Sequence, residues 1–231
     1  MITIDGKNVF TELSEIVDQA HTALLLIDMQ TDFVGAEGVF GRLGIDLSMY
    51  ESSRERLAAL LESARRNGVL VVHVQNTALP GRMSDSPAQI RFNLRMHEAA
   101  RRGGPPLRYT VPGTAGHDFI AELAPRSDEL VVSKYRSSAF WGTNLQLLLQ
   151  SNGITSVVIG GCTTEGCVES TARDAMFSDR YVVIVEDGVG SDDPAQHDAS
   201  MLLMRHRFDL ASAAEIDDIW SAKSASDGDG S

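Results

Sequence analysis

Cys167 lies in VVIGGCTTEGCVESTARDAM, which reads as a strand, a tight glycine-rich turn and a helix carrying the thiol near its first turn. Unpaired backbone N–H groups at a helix start favour negative charge, so a thiol there is biased towards thiolate. The same N–H groups can hold the oxyanion that forms when a carbonyl is attacked. A free cysteine is also a common small core residue, and position alone leaves both readings open. Cys162, on the turn itself, reads as packing. Asp28 closes the apolar run ALLLID, where a carboxylate can serve as a base or cap a loop, and Asp32 and Glu37 compete with it nearby. Lys134 ends LVVSK, either as a cation of the site or as a solvated side chain. Thiol, base and cation are what nucleophilic attack on an amide carbonyl requires.

The elements that carry these residues are short, continuous runs rich in Val, Ile and Leu, the pattern of strands buried on both faces. They are 23–28, 69–74, 130–133, 156–160, 181–186 and, more weakly, 208–212. Helical periodicity fills the gaps. Ser48 is positioned to cap a helix to about Asn67, Pro87 opens another after Ser86, and Thr143 caps a third stopped by Gly153. A fourth follows Thr164 and a fifth begins near Pro194. Strand alternating with helix six times predicts an α/β fold, a six-stranded, mostly parallel sheet covered by helices on both sides. In such sheets ligands bind beyond the carboxyl ends of the strands. Asp28, Lys134 and the Cys162–Cys167 turn should therefore share one edge.

Composition bounds the partners. The chain has 231 residues, 20 Lys plus Arg against 32 Asp plus Glu, and a formal charge of −12. That surface repels phosphate backbones and anionic lipid, so neither nucleic acid nor membrane is an expected partner. Two cysteines make no secreted disulfide framework, and the first twenty residues lack the features of a signal peptide, so a cytoplasmic protein is expected. Residues 1–220 read as one domain and 221–231 as a disordered acidic tail.

LLLIDMQTDF, VVSKYRSSAFWGTNL and VVIGGCTTEGCVESTARDA, in that order, resemble the three signature blocks of the isochorismatase-like cysteine hydrolase superfamily. Their wording is most similar to N-carbamoylsarcosine amidase and related ureido and amide hydrolases. The resemblance spans about His21 to Trp220 and implies a Rossmann-like three-layer α/β/α sandwich and a catalytic triad of Asp28, Lys134 and Cys167. It further implies a non-proline cis peptide at Cys162–Thr163 that brings the Thr163 N–H beside that of Cys167 as an oxyanion hole. The implied activity is cleavage of a small amide, carbamoyl or ureido C–N bond through a thioester. Isochorismatase-type vinyl ether hydrolysis is an alternative, although such enzymes often lack the cysteine. A catalytically inactive binding member of the same fold is another, although it would be expected to have lost one of the three residues. A nucleotide-binding domain is disfavoured because SVVIGGCTTEG lacks the full G-x-G-x-x-G pattern and follows the fourth strand.

By family position, Phe33 and Trp141 are implied pocket walls. Gln30 is a candidate to hydrogen-bond Asp28 or its loop, and Arg136 to pair with a substrate carboxylate or a neighbouring subunit. The strand ending HVQNTALPGR lacks the Asp-x-His pair by which nicotinamidases of the superfamily bind a metal, so no metal or cofactor is expected. The long stretch 76–116 carries an amphipathic segment, Ser86 to Arg102, with Ile90, Leu94, Met96 and His97 on one face and Arg91, Arg95, Arg101 and Arg102 opposite. Insertions of this kind cover the site or meet another subunit in the superfamily, and a homodimer or homotetramer is expected.

Overall fold

The structure is a computed structural model that describes residues 1–96 and 102–228, with side chains described as far as Lys223. A two-stranded antiparallel hairpin, β1 (Ile2–Ile4) and β2 (Lys7–Val9), precedes a short helix α1 (Leu13–Ile16). The main sheet follows: β3 (Thr22–Ile27), β4 (Leu70–Asn76), β5 (Leu130–Lys134), β6 (Ser156–Cys162), β7 (Tyr181–Gly190) and β8 (Asp209–Ala211). Its order is β5-β4-β3-β6-β7-β8, and every pairing is parallel. The connecting helices are α2 (Thr31–Val34), α3 (Val39–Arg42), α4 (Ser48–Arg66), α5 (Pro87–Met96), α6 (Leu145–Ser151), α7 (Glu169–Phe177), α8 (Pro194–Arg205) and α9 (Ala213–Gly228). All six predicted strands are present, shifted by a residue or a few at their ends. The hairpin was not expected from sequence.

Alternation along each strand divides the core into two layers. Leu24 and Leu26 of β3 join Val71, Val158, Val183 and Val185 against Leu57, Leu60 and Leu61 of α4 and Trp220 of α9. Ala23, Leu25 and Ile27 join Val72, Val74, Val157, Ile159 and Ile184 against α6, α7 and α8. Trp220 is fully buried and donates its indole N–H to the Val17 carbonyl at 2.7 Å. α4 lies close over the sheet because Gly160 faces it: a Cβ there would stand 2.4 Å from Leu57 Cδ2.

Some local expectations change. Ser48 is the first residue of α4 and does not cap it; the N-cap is Leu47, which offers no side-chain acceptor, and the Asp46 carboxylate one residue earlier accepts the Ser48 N–H at 2.9 Å. Thr143 does serve the start of α6, its hydroxyl accepting the Leu145 N–H at 3.1 Å. The segment read as a disordered tail, 221–231, continues α9 as far as Gly228, and 229–231 lies outside the described residues. His97 and Arg101 of the amphipathic segment also lie outside them, while α5 leaves Arg91 and Arg95 exposed. No helix among the described residues is long and apolar enough to cross a membrane.

Candidate active site

The strand order reverses between β3 and β6: the chain steps outward from β3 through β4 to β5, then crosses to β6 and continues to β8. Ligands of open α/β sheets bind at such a reversal, where crossovers diverge to opposite faces and leave a crevice. The register sets Ile27 beside both Val74 and Gly161, so Asp28 leaves β3 alongside the end of β6. Asp28 itself has φ +55, a left-handed conformation that Asp tolerates better than most residues, and turns the chain out of the sheet there. Its N–H still donates to the Val74 carbonyl at 2.9 Å.

The three side chains meet. Lys134 Nζ stands 2.8 Å from Asp28 Oδ2 and donates to Cys167 Sγ at 3.1 Å and to the Arg136 carbonyl at 3.1 Å. The Asp28 carboxylate and the Cys167 thiol also interact directly, each influencing the other's ionisation. Asp28 and Lys134 are almost wholly buried, whereas Cys167 is half-buried and faces a cavity of about 110 Å³. Lys134 is therefore not a solvated side chain, and its three donors have three acceptors within reach.

After β6 the Cys162–Thr163 peptide is cis. The chain then enters a wide π-type turn, Thr164–Val168, that runs into α7. Gly161 permits this path: its φ is +125, and a Cβ would fall 2.1 Å from the Ile27 carbonyl oxygen. Gly166, which lines the cavity beside Thr163 and Cys167, has no room either, since a Cβ would meet Thr163 Oγ1 at 2.5 Å. Cys162 is buried and its thiol donates to the Asp28 carbonyl at 3.3 Å, the packing role expected of it, although it touches the cavity.

Burial dominates the ionisation of the cluster. It pushes the Cys167 thiol up to about 12, with the Asp28 charge adding to the rise and Lys134 opposing it. Burial thus acts against the thiolate that the helix start was expected to favour. Burial also raises the Asp28 carboxyl above its ordinary range, against the pull of the Lys134 ammonium. For Lys134, burial opposes the charge, but the Asp28 carboxylate outweighs it and holds the ammonium firmly protonated. A thiol beside a carboxylate of raised basicity is an arrangement that allows proton transfer between them.

The competing carboxylates are accounted for. Asp32 accepts the Thr110 N–H at 2.6 Å and the Val39 N–H at 3.0 Å, and its carboxylate fills the space that a Cβ on Gly116 would need. Glu37 is exposed. Gln30 is fully buried behind the site and does not line the cavity. Its amide donates to the carbonyls of Asn76 (3.1 Å) and His117 (2.8 Å) and accepts the Asn76 N–H at 2.8 Å, so it holds the loop behind the site. His73 is buried within β4, with Nε2 2.9 Å from Glu129 Oε2, and it too lies outside the cavity.

The implied walls divide. Phe33 lines the cavity and also packs against Phe40 and Tyr109, ring centroids 5.3 and 5.1 Å away. Trp141 does not line it; the ring is 67% exposed, with the Arg136 guanidinium 5.9 Å from its centroid. Arg136 does reach the cavity while donating to the Ser84 carbonyl at 3.0 Å. The missed wall is α5, which presents Gln89, Phe92, Asn93 and Met96 to the cavity. Their i, i+3, i+4, i+7 spacing was a readable signal, obscured because Ile90 and Leu94 offered a more apolar alternative face.

The family model described as the Isochorismatase domain matches residues 22–215. A ureidoacrylate amidohydrolase of Enterobacter sp. (strain 638) is 31% identical over 170 residues, 72% of this chain and 74% of that protein. A maleamate amidohydrolase of Pseudomonas putida is 30% identical over 179 residues, 78% of this chain and 76% of that one. Among solved structures, N-carbamoylsarcosine amidase from Thermoplasma acidophilum superposes with a TM-score of 0.64 at 27% identity, covering 84% of this chain and 96% of that chain. With a sheet reversal that gathers the three signature blocks at one edge, and a family match over nearly the whole described length, the chain belongs to the isochorismatase domain family.

Proposed function

We propose that the protein is a cysteine-dependent amidohydrolase that cleaves a C–N bond of a small amide, ureido or carbamoyl compound through a thioester. The observation that carries this reading is the contact of buried Lys134 with both Asp28 (2.8 Å) and Cys167 (3.1 Å), two residues that line the cavity. The amidohydrolase names of the relatives point to the same bond class. Asp28 accepts the thiol proton as Cys167 sulfur attacks the carbonyl carbon. The backbone N–H groups of Thr163 and Cys167 hold the resulting oxyanion; the cis peptide and the cavity-facing positions of both residues support that role. Collapse breaks the C–N bond, and Asp28 returns the proton to the departing nitrogen. Water, deprotonated by the same carboxylate, then hydrolyses the thioester and restores the thiol. Lys134 keeps Asp28 oriented and charged while the proton moves. Phe33 and the α5 side chains Phe92 and Asn93 surround the rest of the substrate.

Ammonia release across ureidoacrylate, maleamate, N-carbamoyl amino acids and simple uncharged amides tests the reading. At least one is turned over by the unaltered protein, and Cys167→Ala and Asp28→Ala abolish that turnover with the fold retained by circular dichroism. Mass spectrometry of the quenched reaction finds the acyl group on Cys167. Full activity in Cys167→Ala would remove the mechanism.

A further inference from the structure

Carboxylates outnumber Lys and Arg by 32 to 20, yet Arg42, Arg82, Arg102 and Arg108 converge on one groove of about 680 Å³. Arg82, Leu107 and Arg108 line both this groove and the cavity that holds Cys167, so the two share a wall. Among the described residues, little of the charge of the groove is cancelled locally. Arg82 reaches Asp85 at 3.4 Å, but among the described residues Arg42, Arg102 and Arg108 have no carboxylate within ion-pair distance. On other faces Arg54, Arg65, Arg126, Arg173 and Arg205 each have one. In the groove the guanidinium groups are held by backbone carbonyls instead: Arg108 donates to Leu79 at 3.2 Å, Arg82 to Pro106 at 3.2 Å, and Arg42 to Glu37. A carbonyl orients a guanidinium and leaves its full charge to act outward. Several such charges within a screening length of about 8–10 Å add their fields. On a protein of net charge −12, a groove lined by four arginines is a local site of attraction for anions.

We propose that this arginine groove is the approach path and resting place for the anionic end of the substrate. A carboxylate passes Arg42 and Arg102 and settles against Arg82 and Arg108, leaving the amide directed at Cys167. The identity of the reacting end rests on the amidohydrolase reading; the recognition of an anion does not.

The test is the double variant Arg42→Gln/Arg102→Gln, whose residues line the groove and not the cavity. Maleate, a dianion with no amide, serves as the calorimetric binding probe, and maleamate and the uncharged diamide of maleic acid as turnover probes. Each is compared at about 20 mM and about 0.5 M NaCl, conditions of weak and strong screening. At low salt, maleate affinity and kcat/KM for maleamate fall about tenfold in the variant, kcat is unchanged and the diamide is unaffected. At high salt the two proteins converge. Equal maleate affinity in both proteins, an equal loss with the diamide, or no measurable maleate binding to either overturns the proposal. Loss of maleate affinity in the variant, in a protein that hydrolyses none of the amides, leaves the groove standing and removes the amidohydrolase reading instead.

Discussion

Lys134 and Asp28 are paired across an intervening strand: 2.8 Å separates ammonium and carboxylate, although β4 lies between β5 and β3. Neighbouring strands are about 4.8 Å apart, so the backbones of the two residues are about 10 Å from each other. A four-carbon side chain with a point charge at its tip spans that gap over the end of β4. Arginine's wider fork and any shorter cation suit the distance less well.

Removing that cation leaves a buried carboxylate alone. Lys134→Met should cost about 3–5 kcal/mol of stability, because one partner of a buried pair is lost, and should lower kcat by at least about 10²-fold. Asp28→Asn/Lys134→Met should regain part of the stability and none of the activity. Urea denaturation measures the first pair of values, and equal stability of the single and double variants would show that the pair is not coupled.

The proposed mechanism makes Asp28 the base, and a pH dependence follows from that. Only its ionised form accepts the thiol proton, and burial holds its carboxyl above the ordinary 3.8. Activity therefore falls on acidification with a midpoint above 3.8. The thiol, held at about 12 against an ordinary 9.0, adds no rise near pH 9. Lys134→Met moves the acid limb further up, since the attraction that favours ionised Asp28 is gone. A kcat/KM profile with a thiol-like rise near 9.0 would assign the activation to the sulfur alone.

Two adjacent glycines should respond unequally to alanine. A Cβ on Gly160 meets chiefly the tip of the Leu57 side chain, at 2.4 Å, and the Gly188 carbonyl oxygen less closely at 3.1 Å, whereas a Cβ on Gly161 falls 2.1 Å from the Ile27 backbone and requires alanine at φ +125. Gly160→Ala should cost about 1–3 kcal/mol, the range for overpacking, and Gly161→Ala distinctly more. Thermal melts rank them, and the reverse order would contradict the close approach of β6 to β3.

Acid stability should depend on Glu129. Burial pushes its carboxyl up, but the Arg65 guanidinium (2.7 and 2.8 Å), the Arg126 N–H and His73 outweigh that and hold it at about 2. The unfolded chain, near 4.5, binds the proton first. The contribution is therefore complete above 4.5 and is lost as the pH falls towards 2. Glu129→Gln should lower Tm at neutral pH and flatten its decline between those limits; an unchanged slope would place the acid sensitivity elsewhere.

Much of this protein was legible along the chain. Strands buried on both faces must be continuous runs of Val, Ile and Leu, so all six could be read, and with them the edge at which Asp28, Lys134 and the Cys162–Cys167 turn emerge. The β1–β2 hairpin was not legible because its three-residue strands are almost wholly exposed and bury no apolar face that would leave a pattern. Other decisions belonged to the tertiary structure. Periodicity marked α5 as amphipathic, but only the packed chain turned Gln89, Phe92 and Asn93 towards the sulfur and left Trp141 outside. A helix start favours a thiolate, yet the burial that surrounds Cys167 reverses the sign, because desolvation is a property of everything packed around a group and of no residue alone. The same holds for Lys134 and for the unpaired arginines: local sequence places a charge, and only the folded surroundings determine what stands opposite it.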